Sequence, residues 1–198
     1  MYMNQSRKIP FKYEGPIDII LIRLAEYLNP IFKKMNFTPN HLTTIAVIFE
    51  ALSLYTFYHN KYFLAALFLL IQYFFDCCDG SYARTYKMET KFGDLYDHIS
   101  DWIFAIGLVV LIIMKPISLK NKLIIFAIIL GIAVFTWRYV VCTEIYMNNN
   151  KKKRFSILNM IKTHYEDPKQ CLDKTKIFST GTLHIVIAII IILIKYME

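Results

Sequence analysis

The sequence predicts an all-α membrane protein, a polytopic bundle of five to six transmembrane helices preceded by an interfacial amphipathic helix. Of the 198 residues, 56% are hydrophobic and only 19% are charged, whereas a soluble domain contains about 25% charged residues. Residues 123–142 contain a single charge, Arg138, and residues 180–194 contain none. Because a helix of about 20 apolar residues crosses the hydrocarbon core of a bilayer, these stretches indicate membrane spans. The same composition excludes intrinsic disorder.

The interfacial helix is predicted over residues 16–36. Apolar side chains recur there at helical spacing, and Asp18, Arg23 and Glu26 lie on the other faces. A helix with this pattern lies in the headgroup plane of a membrane. Pro30 is expected to kink or end the helix, because proline disfavours helical geometry in the residue before it.

Five spans follow the interfacial helix, four of them in the core segment 41–146 and one in 179–197. Their predicted bounds are 41–59, 62–79, 95–114, 123–146 and 180–196. The residues between the fourth and fifth spans, 147–178, form a predicted polar loop, and its composition leaves the number of spans at five or six. The whole chain, 1–198, is interpreted as one integral membrane domain.

Basic residues are concentrated in three places: the N-terminal forty residues, the loop after the second span and the loop after the fourth span. If the spans alternate, all three places lie on one side, and the positive-inside rule predicts that this side is cytosolic. The loop 115–122 carries three lysines on the opposite side. The net charge of +8 suits contact with anionic lipids. Nucleic acid is not an expected partner, because the chain offers no compact soluble face.

The four cysteines do not have the spacing of a metal finger. Cys77 and Cys78 are adjacent, and Cys142 and Cys171 are far apart in the sequence. A disulfide framework is not expected, and small buried residues are the better interpretation of these cysteines.

Four aspartates lie close to one end of two successive spans. Asp76 and Asp79 are at the end of the second span, and Asp97 and Asp101 are at the start of the third. Spacings of three and four residues put each pair on one helix face. A short polar connection on the basic side joins the two spans. Both acidic faces are therefore expected at a similar depth, just inside the cytosolic interface, where they can converge.

Four convergent carboxylates repel one another and require a positive partner. Oxygen ligands without histidine or thiolate favour Mg²⁺ or Mn²⁺, and two such ions about 4 Å apart are typical of phosphoryl chemistry. Gly80 and Gly93 permit close approach of a ligand or a helix. Arg84 suits a bidentate contact with phosphate. Arg138 is interpreted either as a clamp on a substrate phosphate or as a side chain that reaches back to the headgroups.

The acidic segment resembles the signature of the CDP-alcohol phosphotransferase family, also called class-I CDP-alcohol phosphatidyltransferases. All eight fixed positions of that signature are present at a permitted spacing: Asp76, Asp79, Gly80, Ala83, Arg84, Gly93, Asp97 and Asp101. Upstream, the segment 38–43 resembles the Pro-Asn-x-x-Thr element that opens the first span in many members.

The resemblance implies transfer of a substituted phosphate from a CDP-activated alcohol to the hydroxyl of an acceptor alcohol, with release of CMP, in phospholipid biosynthesis. One of the two substrates would be a lipid, either donor or acceptor. The implied metal ligands are Asp76, Asp79, Asp97 and Asp101, and Asp101 would also be the general base. The implied substrate-binding residues are Gly80, Ala83, Arg84, Gly93, Asn40 and Thr43. Members have six core spans, so the missing one would fall in 147–178.

Two other functions remain open for this sequence. A degenerate member could retain the fold as a structural or regulatory membrane protein, and a divalent-cation transporter could use the aspartates as a filter. A transporter is expected to show repeats or acids at the bilayer midplane, and neither is visible here. We expect a polar cavity that opens to the cytosol and is walled by the second and third spans, and a possible homodimer.

Overall fold

The computed structural model describes residues 6–151 and 167–197. The described residues form helices joined by short turns, which confirms the all-α prediction. The α-helices are α1 (Pro16–Lys34), α2 (Pro39–Tyr58), α3 (Tyr62–Tyr86), α4 (Lys91–Met114), α5 (Leu119–Lys151), α6 (Pro168–Thr175) and α7 (Thr180–Ile194). Short 3-10 helices precede α1 (Phe11–Tyr13) and connect α6 to α7 (Lys176–Phe178).

Five helical segments in the described part of the chain are long and apolar enough to cross a membrane. They are Pro39–Tyr58, Tyr62–Tyr86, Lys91–Met114, Leu119–Met147 and Pro168–Ile194. The prediction of five to six spans after a preceding helix is therefore confirmed.

The range predicted as a polar loop, 147–178, contains helical residues near both ends. α5 continues to Lys151, and α6 with the following 3-10 turn occupies residues 168–178, before α7 begins at Thr180. Polar side chains at the end of a span do not interrupt the helix, since its backbone hydrogen bonds are satisfied internally. Residues 152–166, where a sixth span was left open, lie outside the described residues.

Local capping determines where two of the site-bearing helices begin. Thr38 caps α2: its hydroxyl accepts a hydrogen bond from the His41 amide at 3.3 Å, and the His41 ring accepts one from the Thr38 amide at 3.2 Å. Thr90 caps α4 by accepting a hydrogen bond from the Gly93 amide at 3.0 Å. Such caps satisfy amides that a helix terminus leaves without partners.

α3 is the central helix and packs against α1, α2 and α7, while α4 packs mainly on α2, and α5 packs on α6 and α7. At the end of α3 away from its aspartates, the core includes fully buried Leu69, Ile112 and Ile191. The outer faces of α4 and α5 expose large apolar side chains such as Trp102 and Leu130. Such faces are expected in a protein that contacts lipid.

α1 has an exposed apolar stripe and a buried stripe that includes polar side chains. Ile20 is 67% exposed and points away from the bundle, whereas Asp18 and Asn29 are buried against it. The helix does not end at Pro30 but continues to Lys34. Tertiary contacts stabilise this segment, since the Asn29 amide donates hydrogen bonds to the hydroxyls of Ser81 at 3.0 Å and Thr85 at 3.3 Å.

The expectation that no disulfide forms is wrong for one pair. Cys142 on α5 and Cys171 on α6 are bonded, with their Cα atoms 6.2 Å apart. They lie 29 residues apart in the sequence, so only the packing of α5 on α6 brings them together, and no local spacing predicts the pair. Ile9 and Leu172 pack around the bond. Cys77 and Cys78 are free, as expected.

Replacing Gly181 with alanine is expected to destabilise the bundle where α7 meets α1. A Cβ atom there would lie 2.5 Å from Asp18 Oδ1 and 2.9 Å from Ile17 Cγ2, and overpacking of this kind costs about 1–3 kcal/mol. Thermal unfolding in detergent measures the effect. Gly131→Ala is the matched control, because no atom of the described residues lies within 4 Å of its added Cβ. Equal melting temperatures for the two variants would contradict the packing described.

Reduction of Cys142–Cys171 is expected to lower the free energy of unfolding by about 3 kcal/mol, because the bond restricts the unfolded chain. The measurement is thermal unfolding with and without reductant. The double variant Cys142→Ser/Cys171→Ser should unfold like the reduced protein and should not respond to reductant. A wild-type protein that is equally stable in both conditions would rule out this contribution.

Candidate active site

A cavity of about 550 Å³ lies beside the aspartate-bearing end of α3. Side chains of α3 and α4 line it, as predicted for the second and third spans. Its walls also include residues of α1, α2, α5 and the N-terminal segment, which we define as residues 6–15. The cavity therefore has two sides, one formed with α2 and α4 and the other with α1, α5 and the start of α7.

Three of the four predicted metal-binding aspartates converge on the side formed with α2 and α4. One carboxylate oxygen from each of Asp76, Asp79 and Asp97 lies within 4.8 Å of the others. A donor set made only of carboxylate oxygens fits a hard divalent cation such as Mg²⁺ or Mn²⁺. The cluster therefore satisfies the chemistry that such an ion requires.

Thr43 holds one of these carboxylates in place. Its hydroxyl donates a hydrogen bond to Asp79 Oδ2 at 2.6 Å and lies one turn into α2, where it is buried. The bond fixes one oxygen of Asp79 and leaves the carboxylate anchored between α2 and α3. This gives the threonine of the Pro-Asn-x-x-Thr element a structural role beside the cluster.

Gly93 allows α4 to approach α2. A Cβ atom at this position would lie 2.9 Å from Asn40 Oδ1 and 3.2 Å from Thr90 Oγ1, distances that are too short for any larger residue without a shift. Since Asp97 is one turn further along α4, this close approach brings its carboxylate towards those of α3.

The guanidinium of Arg84 lies directly over Gly80, one turn earlier on α3. A Cβ atom at Gly80 would be 3.0 Å from Arg84 Nη1. Arg84 Nε donates a hydrogen bond to the Ser6 carbonyl at 2.8 Å, so the N-terminal segment fixes the plane of the guanidinium. The segment itself is anchored on α1, because Arg7 donates two hydrogen bonds to Glu26 at 2.8 Å each. A rigidly held guanidinium beside carboxylates is suited to a phosphate group.

The cavity brings together all the predicted site residues except Asp101 and Arg138. Asp101 is exposed one turn beyond Asp97 on α4, close enough to repel it electrostatically, but it does not line the cavity. Arg138 is exposed on α5, and the neighbouring Tyr139 faces the cavity instead. The structure therefore gives Arg138 no contact with the cavity.

Sequence reasoning missed the side formed with α1 and α5. Asp18, interpreted as part of the polar face of an interfacial helix, is only 4% exposed. Its Oδ1 accepts hydrogen bonds from the Tyr73 hydroxyl and from the Gly181 amide at 3.0 Å. A stripe of polar and small residues at helical spacing along α1, from Asp18 through Ala25 to Asn29, is the signal that predicts a packed face here.

Glu14, in the N-terminal segment, also lines this side and is only 7% exposed. Within the described residues no group donates a hydrogen bond to its carboxylate or forms an ion pair with it. Burial, reinforced by the charge of Asp18, raises the pKa of Glu14 to about 7, although Arg84, Arg7 and Lys8 act in the opposite direction. A carboxyl of this kind is easily protonated near neutral pH.

Glu14→Gln is expected to stabilise the protein at pH 8 but not at pH 4. Because the pKa of Glu14 is raised from 4.5 to about 7 on folding, its contribution to stability is fully present below pH 4.5 and is lost as the pH rises through 7. The loss amounts to roughly 3 kcal/mol, and glutamine avoids it. Melting temperatures of both proteins between pH 4 and 8 test this, and parallel curves would contradict it.

Comparison with known proteins agrees with this geometry. A sequence model of the CDP-alcohol phosphatidyltransferase family matches residues 36–197. The chain is also similar to the archaetidylinositol phosphate synthase of Pyrococcus horikoshii, at 33% identity over 76 residues, which cover 38% of this chain and 40% of that protein. The match therefore spans less than half the length of this curated relative. Since the family model covers most of the sequence, this chain belongs to the CDP-alcohol phosphatidyltransferase family.

Proposed function

We propose that the protein transfers a substituted phosphate from a CDP-activated alcohol to the hydroxyl of an acceptor alcohol, releasing CMP, as a step in phospholipid biosynthesis. The observation that carries the proposal is the convergence of Asp76, Asp79 and Asp97 beside the fixed guanidinium of Arg84. This combination places a site for a metal cation next to a guanidinium that can bind an anion. A metal-bound diphosphate substrate requires both.

Asp76, Asp79 and Asp97 are the residues that would hold Mg²⁺ or Mn²⁺, and Asp101 would contribute to a second ion. When bound, the metal supplies positive charge that neutralises the diphosphate and stabilises the phosphate of departing CMP. Thr43 keeps Asp79 oriented through the hydrogen bond that its hydroxyl donates to Oδ2.

Other residues of the cavity bind and orient the nucleotide in this proposal. The terminal nitrogens of Arg84 face Gly80, where the lack of a side chain lets a phosphate approach. Ala83, Gly93 and Asn40 line the same wall and would contact the cytidine moiety.

Asp101 is proposed as the general base that takes the proton from the attacking hydroxyl. It is exposed on the surface of a membrane-spanning helix, one turn from Asp97. This position suits a lipid substrate that reaches the site laterally from the bilayer, so that its reactive group arrives between Asp101 and the aspartate cluster. General base catalysis of this kind requires hydrogen-bond distance in the complex with substrate.

The site is proposed to face the cytosol, because the basic loops of the sequence lie on its side. The Cys142–Cys171 bond packs with Tyr139, which lines the cavity, so it lies on that side too. Cytosolic disulfides are uncommon outside hyperthermophiles, and the redox state of this pair in cells therefore also tests the orientation. Homodimer formation through the exposed apolar faces stays a prediction.

Asp97→Asn is expected to lower CMP release at least about 100-fold, because removing one carboxylate disrupts the metal site. Purified protein in lipid vesicles would be given CDP-diacylglycerol with a panel of alcohols, or CDP-amino alcohols with diacylglycerol, with Mg²⁺, Mn²⁺ or EDTA. Asp173→Asn, which removes an exposed charge on α6, is the control and should retain wild-type activity.

Metal-dependent thermal stabilisation provides a second readout that is independent of turnover. The wild-type protein should be stabilised by Mn²⁺, and Asp97→Asn should not. Absence of CMP release from every substrate pair, together with absence of stabilisation by metal or CDP, would contradict the transferase and favour a non-catalytic member of the family.

A further inference from the structure

The side of the cavity formed with α1, α5 and α7 has an acidic character that the transfer reaction itself does not explain. Glu14 and Asp18 are both buried there, and Glu144 lines the same side. None of the three belongs to the cluster of aspartates suited to a metal ion. These carboxylates line the same cavity as Arg84 and the aspartate cluster, in which the proposed function places the substrate.

Three hydroxyl groups on this side already donate hydrogen bonds to other groups. The Tyr73 hydroxyl donates to Asp18, the Thr143 hydroxyl donates to the Tyr139 carbonyl at 3.0 Å, and the Tyr139 hydroxyl donates to the Tyr13 carbonyl at 3.4 Å. Oδ1 of Asp18 therefore has two donors, whereas no donor in the described residues reaches the carboxylate of Glu14. A polar group that is more than nine-tenths buried, lines a cavity and has no partner indicates a ligand.

Three basic side chains, Arg84, Arg7 and Lys8, lie near Glu14, and Arg7 is already paired with Glu26. Lys8 lines the cavity but is exposed, and Arg84 is bound to the Ser6 carbonyl over Gly80. Neither forms an ion pair with Glu14. A phosphorylated alcohol would bring a second negative group against Glu14 and Asp18, which like-charge repulsion disfavours. A protonated amine would instead neutralise the buried charge.

We propose that this side of the cavity binds the ammonium group of an amino alcohol, with Glu14 as its direct counter-ion and Asp18 as a fixed second negative charge. The inference rests on the proposed transfer function and specifies its small substrate. The ammonium can belong to a free amino alcohol that attacks a CDP-activated lipid, or to a CDP-amino alcohol whose phosphate is transferred to a lipid hydroxyl.

The test compares ligands that differ only in the ammonium group. In one arm, CDP-diacylglycerol vesicles are combined with ethanolamine, ethylene glycol or glycerol 3-phosphate. In the other, diacylglycerol vesicles are combined with CDP-ethanolamine or its CDP-ethylene glycol analogue. CMP release is measured with Mg²⁺ or Mn²⁺. The amino alcohol is expected to be the best substrate in one of the two arms. That arm shows whether the amino alcohol is the acceptor or is part of the CDP-activated donor.

Glu14→Gln is the decisive variant. It should raise KM for the amino alcohol by about 10- to 100-fold, the loss expected for a charged hydrogen bond, and should change KM for the hydroxyl analogue much less. Glu14→Asp retains the charge and should retain part of the discrimination. Since Glu14→Gln removes an unpaired buried charge, it is expected to fold.

The outcomes separate this inference from the proposed function. Metal-dependent CMP release that favours ethylene glycol or glycerol 3-phosphate, or that is insensitive to Glu14→Gln, would overturn the ammonium site and leave the transferase intact. No release in any arm would count against the transferase. In that case thermal stabilisation by ethanolamine in wild type but not in Glu14→Gln would still support the ammonium site, and its absence would overturn that as well.

Discussion

Burial of carboxylates inside an apolar bundle is the constraint on which this structure depends. An ionised carboxylate that leaves water must gain hydrogen bonds or a positive partner. Asp18 gains its partners from α3 and α7, through Tyr73 and the Gly181 amide. Asp79 gains one from α2, through Thr43. The helices are therefore joined around carboxylates, and those left without protein partners mark the places where ligands are needed.

Glycine makes these polar contacts geometrically possible. At Gly181 the amide reaches Asp18 only because no side chain separates α7 from α1, and at Gly93 the absence of Cβ admits Asn40 beside α4. The two contacts join different pairs of helices, α7 with α1 and α4 with α2. One positions the helix that carries Asp97, and the other positions the acid that faces the proposed alcohol site, so close backbone approach supports both halves of the cavity.

The sequence predicted best those elements that depend on short-range periodicity. Apolar length predicted the spans, and spacings of three and four residues predicted the faces that bring Asp76, Asp79 and Asp97 together. Asp18 was misinterpreted because its partner on α7 is 163 residues away. The disulfide was missed for the same reason: no pattern within one helix reports which other helix packs against it.

The N-terminal segment links the two sides of the cavity. Its Ser6 carbonyl orients Arg84, and the same segment carries Glu14, which also lines the cavity. Its position on α1 is held by Arg7 and Glu26. Under the two proposals, the carbonyl that orients the phosphate-binding Arg84 and the carboxylate that recognises the alcohol thus belong to the same segment. A substitution in this segment can change the choice of alcohol while every residue of the aspartate signature stays the same. On the proposed ammonium site, recognition of the small substrate is encoded in residues before the first span, outside the motif that identifies the family.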